Sequence, residues 1–247
     1  MGALDLKNLA VTTYDKSLIH NLSMRIPKGE VHGLMGPNGA GKSSLAKAIS
    51  GHPDYKITAG NLTIDGTNIV GLNPDEIARH GLFLAFQYPL EIEGVTVANL
   101  IRAAVQARHM NKKISIHEFY ENLYECMDRL KMDRSFSSRQ LNMGFSGGEK
   151  KRCEILQLMM LKPKIAILDE PDSGLDMDAM KILADGINSL RDNNFSALII
   201  THYPKFLDQM NPDKIHLMAA GKIVHSGNKS ILKELEIHGY NWINKDS

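Results

Sequence analysis

An α/β fold built on a mostly parallel sheet is predicted by three observations in this sequence of 247 residues. Short apolar runs of the buried-strand type, at 31–35, 82–86, 165–168 and 197–200, alternate with segments of helical spacing. Several of these runs end in polar residues, namely Gln87, Asp169, Glu170 and His202. Open α/β sheets bind their ligands at the carboxyl ends of strands. Finally, a glycine-rich stretch, Gly36-Pro37-Asn38-Gly39-Ala40-Gly41-Lys42-Ser43, lies between the first run and a helix start at Ser44.

Composition sets the bounds. A chain of this length is one large domain, or one domain with an inserted lobe, and can bury a substantial core. Its 29 basic and 28 acidic residues leave a net charge of +1, so no global field favours nucleic acid. Two cysteines, Cys126 and Cys153, have no C-x-x-C spacing and read as free thiols of a reducing cytoplasm. They are too few to hold an iron–sulfur cluster within one chain. The start, Met1-Gly2-Ala3-Leu4-Asp5-Leu6, lacks a secretory pattern, and Leu6 breaks the myristoylation pattern. No apolar run approaches the ~18 residues of a membrane span. The expectation is a cytoplasmic chain without direct membrane insertion.

In chain order, Leu4, Leu6, Leu9 and Val11 suggest an edge strand, which turns at Tyr14-Asp15-Lys16. A second strand runs from Leu18 to Ile26, and these strands form a small antiparallel layer. The helix after Lys42 ends near Gly51-His52-Pro53. Residues 61–66 read as a strand and turn. Asn73-Pro74-Asp75-Glu76 caps a helix. From Tyr88 to Asn142 helical spacing dominates, with few strand signals. The expected organisation is one domain over residues 1–247. Its α/β core covers 1–87 and 143–247, and a helical subdomain covers 88–142. Ser146 opens a helix reaching about Leu161, and another helix runs from Asp176 to about Arg191. Two short strands around Ile215 and Ile223, then a helix, complete the chain.

The chemistry starts at Gly36–Ser43, which fits G-x-x-x-x-G-K-[ST], a phosphate-binding loop when a strand precedes it and a helix follows. Three glycines let backbone N–H groups turn inward to make a concave anion site. The helix beginning at Ser44 adds its positive end. Lys42 supplies a point charge for β- and γ-phosphates, and the Ser43 hydroxyl suits Mg²⁺. Four apolar residues before Asp169-Glu170 supply a carboxylate for the Mg²⁺ shell and a second one, Glu170, to accept a proton from attacking water. Glu170 alone could equally cap the next helix; beside Asp169 and the loop it reads as catalytic. His202 could hydrogen-bond the γ-phosphate, and Gln87 could sense the metal or the water. Tyr14 either stacks on an adenine ring or packs at a sheet edge. Ser146-Gly147-Gly148-Glu149 is a capping box and, at the same time, a second anion site.

Taken together, Gly36–Ser43, Gln87, residues 145–149, 165–170 and 173–176, and His202 resemble the full motif set of an ABC-type ATPase, along nearly the whole chain. The usual signature of that family is Leu-Ser-Gly-Gly-Gln, from which Phe145 and Glu149 depart. These departures, with residues 86–95, 144–152, 172–176, 188–192, 201–203 and Gly239-Tyr240-Asn241-Trp242, resemble the SufC family, the ATPase subunits of the SUF iron–sulfur cluster assembly system. Pro171 is absent from some of its members. The resemblance implies a P-loop ABC ATPase core and Mg²⁺-dependent ATP hydrolysis. It implies ATP bound by residues 36–44 of one copy, and by Ser146, Gly147, Gly148, Glu149 and Asp176 of a second copy of the chain, head to tail. It further implies SufB-like and SufD-like scaffold proteins as partners, contacted near Gln87. The alternative is the nucleotide-binding subunit of a membrane ABC transporter.

Overall fold

A computed structural model describes residues 2–14, 16–87, 89–108 and 114–240. The chain divides into two compact units. The first comprises Met1–Leu84, Pro163–Pro171 and Arg191–Ser247. The second comprises Ala85–Lys162 and Asp172–Leu190.

The first unit is built on two sheets. Strands β1 (Gly2–Thr13), β2 (Lys16–Pro27), β4 (Tyr55–Ile64) and β5 (Thr67–Asn68) form an antiparallel sheet in the order β2-β1-β4-β5. The larger sheet contains β3 (Val31–Met35), β6 (Leu82–Ala85), β9 (Ile165–Asp169), β10 (Ser196–Ile200), β11 (Lys214–Ala219) and β12 (Lys222–Gly227), in the order β12-β11-β3-β10-β9-β6. The β11–β3, β3–β10 and β10–β9 pairs are parallel and β11–β12 is antiparallel. The mostly parallel α/β class and the small antiparallel layer are as the sequence implied.

One core joins the two sheets through helix α1 (Lys42–Ile49). Leu45 and Ile49 of α1 share a buried cluster with Leu4 and Leu6 of β1, Ile167 of β9, and Leu198 and Ile200 of β10. Each fully buried aliphatic side chain contributes about 1.5–3 kcal/mol relative to exposure. Burial on both faces explains why β9 and β10 read as continuous apolar runs rather than alternating ones. Helix α2 (Pro74–Arg79) starts at the expected cap, which proves to be a capping box: the Asn73 N–H donates to Glu76 Oε2 over 2.8 Å.

Three local expectations need correction. β1 is not an edge strand; β2 covers one side and β4 the other, and β4 starts at Tyr55 rather than near Asn61. The strand at 82–85 stops before Phe86, which is exposed. A short helix α7 (Pro204–Gln209) lies between β10 and β11 and was not expected, since six residues hold too little periodicity. The last helix, α8 (Ser230–His238), is present as expected.

The second unit is mainly helical: α3 (Val97–Arg108), α4 (Ile116–Arg129), α5 (Gly147–Leu161) and α6 (Met177–Asn188), with a 3-10 turn at Arg134–Ser138. The stretch 88–142 lies inside this unit, which also takes in α5 and α6. β7 (Ile92–Thr96) and β8 (Gln140–Leu141) pair within it, and a two-residue partner strand leaves no alternation to detect. Against expectation, α6 ends at Asn188, so Arg191 is free of the helix; its guanidinium donates to the Met210 and Asn211 carbonyls and to Asp213. Gly186 of α6 allows close approach: a Cβ there would lie 2.8 Å from Cδ2 of Leu130, just past α4, and 3.3 Å from Cγ2 of Ile155 in α5.

Two buried histidines join β3 to β11. His32 Nε2 donates to Glu30 Oε2 over 2.8 Å, leaving His32 Nδ1 to accept from His216 Nε2 over 3.0 Å. His216 Nδ1 then accepts from the Ser226 hydroxyl over 2.7 Å. Every contact is satisfied with both rings neutral. Burial lowers the pKa of His32 against the raising effects of Glu30 and Asp213. Burial, helped by His32 and Lys214, lowers that of His216 to about 3. Because the unfolded values lie near 6.5, this stability is complete above that pH and is lost as pH falls below it. Unfolding free energy is expected to drop by about 2 kcal/mol between pH 6.5 and 5 on account of His216 alone. His216→Asn, which keeps a donor and an acceptor but does not titrate, should flatten that slope in urea titrations. Equal slopes for parent and variant would contradict the neutral chain.

Candidate active site

The register of the parallel strands assembles the site in the first unit. Ile200 of β10 pairs with Leu34 of β3 on one side and Asp169 of β9 on the other. Three strand ends therefore stop level with one another. Two further bonds extend the ladder: Glu170 N–H donates to the Ile200 carbonyl over 2.9 Å, and Thr201 N–H to the Leu34 carbonyl over 3.3 Å. Residues immediately after the strands, Gly36–Ser43, Glu170 and His202, are thus grouped at one edge.

The glycine-rich loop runs from β3 into α1, whose N-cap Gly41 has φ 104°, a left-handed conformation that a side chain would strain. Lys42 is buried, and its Nζ donates to the Gly36 carbonyl over 2.8 Å and the Pro37 carbonyl over 3.1 Å. Burial lowers the pKa of its ammonium, while the Glu170 and Asp169 carboxylates work to keep it charged. The Ser43 hydroxyl donates to Asp169 Oδ1 over 3.1 Å, and Asp169 is itself buried. A serine hydroxyl and a carboxylate side by side form a hard-oxygen pair of the kind Mg²⁺ takes alongside phosphate oxygens and water.

Glu170 Oε1 lies 3.6 Å from His202 Nδ1, within ion-pair reach but beyond a hydrogen bond. Glu170 is largely buried and adopts φ 50°, unusual for a non-glycine residue. The backbone is therefore held in a costly conformation at the residue whose carboxylate faces the site. Tyr14 has φ 47° in the β1–β2 turn and is 84% exposed, so no sheet edge packs it.

Gln87, Ser146–Glu149 and Asp176 belong to the second unit. Ser146 Oγ accepts from Glu149 N–H over 3.3 Å, and Glu149 Oε2 accepts from Ser146 N–H over 2.7 Å, completing the expected capping box of α5. The Ser146 N–H and hydroxyl hold the Glu149 carboxyl below the usual range. Among the described residues, a Cβ built on Gly147 would meet nothing within 4 Å beyond its chain neighbours and its own helix backbone, so one face of this helix start is open. Phe145 is a core residue, its ring 4.8 Å from that of Phe136, with the Arg139 guanidinium 4.6 Å above it. Asp176 caps α6, accepting from Ala179 N–H over 2.7 Å.

Sequence reasoning missed the support beneath Gln87. Lys151 and Glu154, both buried in α5, hold the backbone there: Lys151 Nζ donates to the Phe86 and Gln87 carbonyls over 3.1 and 2.9 Å, and Phe86 N–H donates to Glu154 Oε1. The two thiols are also poor ligands at neutral pH: burial raises the Cys126 pKa and pushes Cys153 up to about 12.

The chain matches the ABC transporter family over residues 19–173. It is 49% identical over 246 residues to Vegetative protein 296 of Bacillus subtilis, covering 99% of this chain and 94% of that one. It is 45% identical over 243 residues to the probable ATP-dependent transporter ycf16 of Pyropia yezoensis, with 97% of each chain covered. Among solved structures, the dimeric form of a bacterial ABC transporter cassette shares its fold, at TM-score 0.80 and 22% identity over 92% of this chain and 98% of that one. The chain belongs to the ABC transporter family, as an ATP-binding cassette of the ABC ATPase class. Among the described residues, no helix is long and apolar enough to cross a membrane.

The left-handed backbone at Glu170 generates a stability test. Asparagine tolerates that conformation better than glutamate, so Glu170→Asn should keep or gain stability, by up to about 1 kcal/mol. Urea unfolding showing a loss larger than that would mean the Glu170 side-chain contacts outweigh the backbone cost.

Proposed function

We propose that this ABC ATPase is a nucleotide-driven clamp that works on a soluble protein scaffold. The observation that carries the enzymatic part is the grouping of Lys42, the Ser43–Asp169 pair and the Glu170–His202 pair at one sheet edge. Backbone N–H groups of residues 36–44 and the start of α1 hold the ATP phosphates. Lys42 exchanges the Gly36 and Pro37 carbonyls for β- and γ-phosphate oxygens. Ser43 and Asp169 would hold Mg²⁺, and this reading keeps Gln87 as the residue that senses the metal or the water. Bound there, Mg²⁺ would neutralise charge on the β- and γ-phosphate oxygens. Glu170 takes a proton from water as its oxygen bonds to the γ-phosphorus and the bond to the ADP oxygen breaks. His202 steadies the γ-phosphate, and Tyr14, exposed as it is, stacks on adenine. In this reading residues 1–87 and 143–247 form the catalytic core and 88–142 the subdomain that passes on the stroke.

The open helix start at Ser146–Glu149 suits the γ-phosphate held by a second copy, with Asp176 beside it. What supports this is Gly147: no contact among the described residues needs a glycine there, whereas close approach by a phosphate would. A dimeric neighbour of the same fold is in keeping with such an arrangement.

The scaffold role rests on the SufC-like residues at 86–95 and 144–152, and on exposed apolar side chains there. Phe86, Leu90, Ile92 and Met143 are all exposed, as a partner-binding surface in the second unit would be. SufB-like and SufD-like proteins are the partners this reading assigns. The name of the ycf16 relative favours a second reading, a transporter subunit whose membrane-spanning partner is a separate chain. A tagged pull-down from the native cell without detergent separates the two. Stoichiometric recovery of soluble scaffold proteins is expected. Recovery only after membrane solubilisation, with a multi-span partner, would reject the scaffold role.

Glu170→Gln should reduce steady-state ATP hydrolysis by at least about 100-fold while ATP affinity stays near the parental value, because an amide fills the site but takes no proton. Undiminished hydrolysis would reject Glu170 as the base.

A further inference from the structure

Two parts of the SufC-like resemblance have no role in the chemistry above. One is Gly239-Tyr240-Asn241-Trp242, of which Asn241 and Trp242 lie outside the described residues. The other is Phe145, which stands where the usual signature has leucine. Its ring is buried and meets Phe136 edge-on, with centroids 4.8 Å apart and planes at 73°. Arg139 accounts for the aromatic residue. Its guanidinium carbon lies 4.3 Å from the centre of the Phe136 ring and 4.6 Å from that of Phe145. A cation is drawn to the electron-rich face of a ring, and leucine has no such face. The Arg139 backbone is pinned on both sides: its N–H donates to the Phe136 carbonyl over 3.2 Å, and its carbonyl accepts from the Val97 N–H over 3.0 Å. Its Nη2 reaches the Gly144 carbonyl over 3.5 Å. Gly144 has φ 65°, and among the described residues a Cβ there would meet nothing within 4 Å beyond its chain neighbours. A left-handed turn, rather than crowding, calls for glycine at that position. Phe145 N–H donates to the Asn142 carbonyl over 3.3 Å across this turn. The next residue is Ser146, the N-cap of α5. The Glu149 carboxyl that closes this cap is held low first by the Ser146 N–H, and it also lies in the field of the Arg139 charge.

We propose that Arg139 is a positioning residue for the ATP-driven pairing of two copies: stacked on Phe136 and Phe145, it holds the Gly144 turn and so sets the direction of the open start of α5. This rests on the reading that Ser146–Glu149 meets the γ-phosphate held by a second copy. The physical effect is preorganisation. A helix start already aimed loses less conformational freedom when the copies close. Stacking on two rings while donating to a carbonyl needs a planar guanidinium, so lysine is no substitute. Phe145 and Arg139 act as one unit: the ring provides the face, and the cation reaches past it to the turn.

The test uses the full chain carrying Glu170→Gln, with ATP and Mg²⁺, and reads the dimer dissociation constant by light scattering over a dilution series. Arg139→Lys keeps the charge and loses the stacking, so the dimer should weaken about 10-fold, both copies being affected. Phe145→Leu removes one ring face and should weaken it about 3- to 10-fold. The two together should weaken it little more than either alone, because they remove one contact. ADP affinity of the single chain, measured by calorimetry, should stay within about twofold of the parent, since the phosphate loop belongs to the other unit. The melting temperature without nucleotide should stay within about 4 °C of the parent. Gly147→Leu, whose Cβ has open space, is measured alongside and should abolish the dimer. If Gly147→Leu abolishes it while Arg139→Lys and Phe145→Leu pair like the parent, the positioning role is overturned and the second-copy reading stands. If the effects of Arg139→Lys and Phe145→Leu add in full, the two side chains do not act as one unit and the inference fails. If the dimer weakens only together with losses of ADP affinity or melting temperature beyond those bounds, the residues hold the fold and the inference fails. If Gly147→Leu still pairs on ATP, the second-copy reading fails and the inference with it.

Discussion

Everything at the site depends on the parallel register of β3, β10 and β9. Pairing Leu34, Ile200 and Asp169 side by side ends three strands at one level. A slip of one residue would reverse which side chains face the shared core and would move Asp169 away from Ser43. The register is held by burial on both faces of β9 and β10, and by the two ladder bonds that continue past the strand ends. The same pairing brings Glu170 and His202 within reach of each other and leaves the loop between β3 and α1 facing both. The chemistry is thus a consequence of where apolar strands stop.

Two local features at this edge run against stability. Glu170 sits in the left-handed region, and Lys42 is buried beside two carboxylates and against loop carbonyls. A lysine hydrogen-bonded to its own loop is ready to be drawn away by stronger phosphate acceptors, because charge-assisted bonds to anions exceed those to neutral carbonyls. In the second unit, the capping box at Ser146 and Glu149 satisfies the start of α5 while leaving the Gly147 face open. Stable capping and an open helix start coexist there.

What was legible in the sequence was whatever is encoded locally. The loop at 36–43, the Asp169-Glu170 pair, His202 and the cap at Ser146 are short spacings with a direct physical meaning. The buried strands at 165–169 and 196–200 were legible as apolar runs. What depends on distant partners was not. β1 looked like an edge because nothing in residues 3–13 announces that β4 pairs with its other side. The β7–β8 pair and α7 are too short for periodicity. Lys151 and Glu154 resemble surface charges until their bonds to the backbone of Phe86 and Gln87 are seen.

The central claim is that ATP closes two copies of this chain head to tail, each supplying Ser146–Glu149 to the other's phosphate. Static light scattering on the Glu170→Gln variant tests it most directly, since a chain unable to hydrolyse ATP should hold the closed form. The account predicts a shift from the mass of one chain to that of two on adding ATP with Mg²⁺, and no shift with ADP. A monomer that persists with ATP, even in the presence of its protein partner, would contradict the clamp.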